Sequence, residues 1–149
     1  MNISKKNIIT DAKSIDISKY SSESSGTYSF SIVNSTDNGK RITFSKSLLK
    51  TLDVDKTIEL LISPQNKMVI VGADLKSLDE SLNPYVLTLR KGGMSYKADI
   101  VHAITKVFSL DFSVHTSYTF RDIELDSESG KPVAFINVDR PIPKHSDDN

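Results

Sequence analysis

The chain has 149 residues, enough for one domain or for two small halves around a shared core. Its 19 basic and 19 acidic side chains cancel, which excludes a generally basic nucleic-acid coat and an acidic solvating chain, so any electrostatic interface has to come from local clustering. Cysteine is absent, which excludes disulfides, zinc–thiolate sites and thiol nucleophiles and fits the cytoplasm. The start of the chain has no apolar core of signal-peptide length, and no apolar run nears the ~20 residues that span a bilayer. A soluble protein with no membrane partner is expected.

In chain order, Ile8-Ile9 and Ile15 with Ile17 predict short edge strands. Ser21-Ser22-Glu23-Ser24-Ser25-Gly26 then reads as a flexible connection, so residues 1–27 form an N-terminal segment. A first half follows over residues 28–75. Tyr28, Phe30 and Ile32 alternate with Ser29, Ser31 and Val33 as in a half-buried strand. Asn34 to Gly39 is a turn, and Arg41-Ile42-Thr43-Phe44 a second strand. Ser45 is suited to cap a short helix whose apolar face is Leu48, Leu49 and Leu52. Ile58–Ile62 and Met68–Val71 are strands joined by the tight turn Ser63-Pro64-Gln65-Asn66.

A second half over residues 76–140 repeats the order. Tyr85, Leu87 and Leu89 mark a strand, Lys91-Gly92-Gly93 a turn, and Ile100, Ala103, Ile104, Val107 and Phe108 one side of a helix. Val114, Thr116, Tyr118 and Phe120 mark a strand, residues 126–130 a turn, and Val133–Val138 the returning strand. Leu52-Asp53-Val54-Asp55 parallels Leu110-Asp111-Phe112-Ser113 at the two helix ends, as an internal duplication would. Residues 141–149 read as a disordered tail. The fold class is α+β and strand-dominated, two related strand–helix–hairpin halves forming one compact unit.

The run Gly39-Lys40-Arg41-Ile42-Thr43-Phe44-Ser45-Lys46-Ser47-Leu48-Leu49-Lys50-Thr51-Leu52-Asp53-Val54, continued through Ile58–Ile62 and Met68–Val71, resembles the AbrB/MazE/SpoVT swapped-hairpin family. The likeness covers residues 39–72, with a fainter second copy at 85–138. It implies a DNA-binding module of two interleaved hairpins, usually from two chains, with basic side chains near the first hairpin on the DNA. The family's arginine falls on Arg41, with Lys40 beside it. Ser45 stands where the family opens its helix with proline, and Asp53 where it closes it with glycine. The loop after the helix is shorter, and Gly39 lies one residue further from Arg41 than in the pattern.

Charge points to the same places. Lys40, Arg41, Lys46, Lys50 and Lys56 outnumber Asp53 and Asp55, and Arg90, Lys91, Lys97 and Lys106 outnumber Asp99. The two clusters occupy equivalent places in the halves, and paired basic faces suit a phosphate backbone, whose neutralisation releases counterions. The bland alternative is lysines solvated on exposed turns. Asp122, Glu124, Asp126 and Glu128 form an acidic stretch that would repel DNA and either bind a basic partner or, the preferred reading, keep an edge strand soluble.

His102, His115 and His145 lack the spacing of a metal site, and no nucleophile elbow or glycine-rich phosphate loop is present, so no metal, cofactor or enzymatic activity is expected. Tyr85, Tyr96 and Tyr118 read as core edges rather than base-stacking platforms. The expected function is a small DNA-binding transcriptional regulator using Lys40, Arg41, Lys46, Arg90, Lys91 and Lys97, as a homodimer or with both halves in one chain. The alternative is a protein of the kind phages and mobile elements use to bind and inhibit a host protein machine.

Overall fold

The computed structural model describes residues 28–36, 39–127, 131–139 and 142–144. The readings of 1–27, of the end of the Asn34–Gly39 turn, of 128–130 and of His145 lie outside the described residues. The fold is α+β and strand-dominated. In order come β1 (Phe30–Ser35), β2 (Gly39–Phe44), α1 (Lys46–Leu52), β3 (Thr57–Ser63), β4 (Met68–Gly72), a 3-10 turn (Leu75–Ser77), β5 (Tyr85–Thr88), β6 (Met94–Ser95), α2 (Ala98–Val107), β7 (Ser117–Phe120), β8 (Ile123–Asp126), β9 (Val133–Asn137) and β10 (Ile142–Lys144).

The strands form two antiparallel sheets, β10-β7-β1-β2-β6 and β5-β3-β4-β9-β8, here sheet A and sheet B. Alternation sets their inner faces. Phe30 and Ile32 of β1, Ile42 and Phe44 of β2, and Tyr118 and Phe120 of β7 share one buried cluster with Ile58 and Leu60 of β3, Val69 and Val71 of β4, and Ala134 and Ile136 of β9. Phe30 lies opposite both Phe44 and Phe120, with ring centroids 5.2 and 5.9 Å away. A smaller cluster of Met68, Ile70, Leu75, Val133 and Phe135 lies on the other side of sheet B.

Ser45 caps α1 as its residue type suggests: its hydroxyl accepts from Leu48 N at 3.4 Å and from Ser29 N at 3.0 Å. Both helices then end in the same way. At α1, Val54 N donates to Leu49 O and Asp53 N to Lys50 O, with Asp53 at φ 58°. At α2, Leu110 N donates to Thr105 O and Ser109 N to Lys106 O, with Ser109 at φ 53°. Each is a Schellman closure, which normally places glycine in the left-handed position. Asp53 and Ser109 therefore occupy the left-handed position that glycine usually fills. Asp53→Gly and Ser109→Gly are each expected to raise stability by ~0.5–1 kcal/mol, the left-handed penalty of ~1–2 kcal/mol less the greater unfolded-state freedom of glycine. Urea unfolding midpoints of the two variants check this.

The structure departs from the sequence expectations at several elements, and Asn34, Ser35 and Gly39 of the expected turn are paired in β1 and β2. The helix ends correspond through Asp53 and Ser109 rather than through Asp53 and Asp111, so the sequence parallel is displaced by two residues. The buried side of α2 is Ile100, Val101 and Ile104, while Val107 is 42% exposed. The strand expected from Val114 starts at Ser117, because the Asp111 carboxylate accepts from the Ser113 N–H and hydroxyl and holds a turn there. That strand, β7, does not pair with the returning strand 133–137. The chain crosses to sheet B at Arg121-Asp122, and β8 is the hairpin partner of β9. Finally, Ile142–Lys144 of the expected tail pairs with β7 as the edge strand β10. An edge tolerates Pro143, whose missing N–H would break an interior ladder.

The two halves are interleaved. β1, which opens the first, pairs with β7, which follows the helix of the second. Reciprocally β5, which opens the second, pairs with β3, which follows the helix of the first. β2 and β6, the strands before the two helices, pair with each other.

Candidate nucleic-acid interface

The β2–β6 ladder gathers all six basic residues singled out in the sequence. Ile42 and Phe44 face the core, so Arg41 and Thr43 lie on the outer face of sheet A. Thr43 is paired with Met94, and Met94 is bridged in turn to Arg90. Directly opposed residues share a face, which puts Thr43, Met94 and Arg90 on the outer side together with Arg41. Tyr96 joins them. Its hydroxyl donates to Met94 Sδ at 3.7 Å, and the Arg90 guanidinium lies over its ring, 5.3 Å from the centroid. Because Ile42 pairs with Ser95, the next residue, Tyr96, lies at the Arg41 end of the ladder.

The remaining cations flank this group. Lys40 and Lys97 lie two residues beyond the Ile42–Ser95 pair, at one end of the ladder, and by alternation share the parity of those inward residues rather than that of Arg41. Lys46, the first residue of α1, and Lys91, in the turn before β6, lie at the other end, where Phe44 N donates to Gly93 O at 3.0 Å. At the ~3.4 Å rise of a strand residue, Lys40 to Phe44 spans roughly 14 Å. Lys46, Arg90, Lys91 and Lys97 are exposed, and Lys40 and Arg41 half-buried.

The turn that carries Arg90 and Lys91 is fixed by Gly93. Its φ is +74°, and a Cβ there would lie 2.5 Å from Phe44 O and 2.9 Å from Leu49 Cδ1. The backbone of the second half thus sits directly against the β2–α1 junction of the first. The Gly-Gly pair could be read as a turn from the sequence, but not as a close backbone contact.

Tyr96 is the residue that sequence reasoning missed. Tyr118 is a core residue at 8% exposure, as expected, but Tyr96 and Tyr85 are 48% and 47% exposed. The available signal was the neighbourhood of Tyr96, between Arg90-Lys91 and Lys97. Its meaning depends on the Arg90 contact, which only the fold supplies.

The acidic stretch lies elsewhere. Glu124 and Asp126 are on β8, at the end of sheet B opposite β5, and Asp122 is exposed at the crossing from β7. The β5–β6 turn and the β7–β8 crossing link the sheets at opposite ends, so this acidic stretch, with exposed Arg121 beside Asp122, lies at the edge away from the β2–β6 ladder. A separate concavity of about 390 Å³ lies between the end of α2 and the β3–β4 turn. There Lys67 and Asp139 pair at 3.1 Å, and the Tyr118 hydroxyl donates to Asp111 O. Burial pushes the Tyr118 hydroxyl above its usual pKa, while the Ser113 hydroxyl and N–H hold Asp111 below the usual carboxylate value. His102 is exposed on α2, and His115 packs edge-on to Tyr118 at 5.8 Å. No group of three His, Cys, Asp or Glu suited to a metal occurs among the described residues, and no helix among them is long and apolar enough to cross a membrane. No protein-family model, no curated protein and no solved structure matches the chain.

Proposed function

We propose that the chain is a small DNA-binding regulator of swapped-hairpin type, in which two related halves pair within one chain. The observation that carries it is the convergence of both basic clusters on one sheet edge. Arg41 from the first half and Arg90 from the second share the outer face of the β2–β6 ladder, with Lys40, Lys46, Lys91 and Lys97 around them. Such a cationic face gains affinity for a polyanion by counterion release even when the net charge of the chain is zero. The reciprocal pairing of β1 with β7 and β3 with β5 supports the duplicated form, since two swapped hairpins exchange strands in this manner. In this reading Arg41 and Arg90 contact DNA from the sheet face, and the four lysines take phosphates along the ladder.

Replacing Lys40 and Arg41 together by alanine should weaken binding to a random-sequence duplex and lower the slope of log K against log salt by about two. Asp122→Ala should leave binding unchanged or slightly stronger. Anisotropy titrations of a labelled duplex at several salt concentrations measure both. No binding at micromolar protein and low salt would sink the DNA reading. The second reading is a protein-binding inhibitor of a host machine, favoured by the acidic edge of Asp122, Glu124 and Asp126. In that case Asp122→Ala slows association with a basic protein surface, and the Lys40/Arg41 variant has little effect.

A further inference from the structure

Resting on the DNA reading of this face and narrowing it, we infer that the outer face of the β2–β6 ladder takes DNA with unpaired bases, one of them stacked on Tyr96. An exposed tyrosine alone implies no role, as Tyr85 at 47% exposure shows, but Tyr96 is held by a neighbouring cation. Arg90 covers one side of the Tyr96 ring at 5.3 Å, while the residue remains 48% exposed. A ring fixed by a guanidinium loses little freedom when a base arrives, and the same cation can meet the adjoining phosphate. The surroundings fit a strand lying flat. The outer residues of β1, β2 and β7 include Ser31, Thr43, Ser117 and Thr119, with the Ser31 and Thr119 hydroxyls 3.0 Å apart. These small side chains leave a low floor diagonal to the ring, while the row of Tyr96 itself continues through Arg41 and Val33. Arg41, at the Tyr96 end of the ladder, places further charge where a backbone leaving the stacked base would run. A duplex keeps its bases inside the stack and offers Tyr96 nothing to stack on, whereas a single strand offers a π-face at every residue.

The test is anisotropy with a labelled 12-nucleotide oligothymidine and a labelled blunt duplex, at one low salt concentration. The wild type, Tyr96→Ala, Tyr96→Phe and the Lys40→Ala/Arg41→Ala double variant are compared. Tyr96→Ala should weaken single-strand binding roughly 5- to 150-fold, the range of base–aromatic stacking. It should leave duplex binding within about two-fold, and Tyr96→Phe should bind like the wild type. The double variant should weaken both forms. Equal losses on both forms with Tyr96→Ala, or no loss on either, would overturn stacking while the DNA reading stands. A Tyr96→Phe loss as large as that of Tyr96→Ala would also overturn it, because a phenyl ring stacks as well. Failure of the wild type to bind either oligonucleotide would overturn both readings.

Discussion

Gly93→Ala is expected to destabilise the protein by ~2–5 kcal/mol, a left-handed penalty of ~1–2 kcal/mol added to an overpacking cost of ~1–3 kcal/mol. The new methyl group would meet Phe44 O at 2.5 Å, and a backbone carbonyl already held in a sheet has little room to retreat. The cheapest escape is for the Arg90–Met94 turn to lift away from β2, which breaks the Phe44 N to Gly93 O hydrogen bond. On the proposed DNA reading, affinity for DNA should then fall together with stability, because Arg90 and Lys91 lie on the turn that moves and Tyr96 packs against Arg90. Gly92→Ala is the control. Its φ is +87°, but the added Cβ would meet only Met94 Cε at 3.6 Å, so the backbone strain of ~1–2 kcal/mol is its whole cost. Urea unfolding of both variants measures the difference, and equal losses would show that the close approach at Gly93 is not a constraint.

Phe30→Ala should cost ~3–5 kcal/mol, the usual range for truncating a fully buried phenylalanine. Phe30 is 0% exposed and lies between Phe44 of β2 and Phe120 of β7, so it joins the β1–β2 hairpin to a strand from the far end of the chain. Its loss leaves a cavity flanked by two aromatic rings that have lost their common neighbour. Against a total stability of ~5–15 kcal/mol for a domain, that is a large fraction. The melting temperature should drop by roughly 6–20 °C, taking ~2–4 °C per kcal/mol at this chain length. A drop below about 4 °C would mean that the three phenylalanines do not share one packed centre.

The partition between what could and could not be read in advance follows the range of the interactions. The alternation of Phe30 with Ile32 and of Ile42 with Phe44, the capping hydroxyl of Ser45, the Lys91-Gly92-Gly93 turn and the buried Leu48 and Leu52 all rest on neighbours within a few residues. These features depend on local geometry, and the amino-acid sequence determines them on its own. The α+β class follows, because the segments carry the strand and helix periodicities wherever they end up.

Only the tertiary structure decided which strand lies beside which. Backbone hydrogen bonds are the same for any two strands, so the partner is selected by the closure of a common apolar face far along the chain. That is why β7 joins β1 in sheet A rather than β9, and why Ile142–Lys144 finds an edge on β7. It is also why Val101 rather than Val107 turns inward: the neighbours that cover one side of α2 come from β1 and β2. The candidate site obeys the same rule. Arg41 and Arg90 are each plain in the sequence, yet they and Tyr96 become one surface only through the register that pairs Thr43 with Met94 and Ile42 with Ser95. A register set by long-range packing leaves no local mark on the residues it brings together.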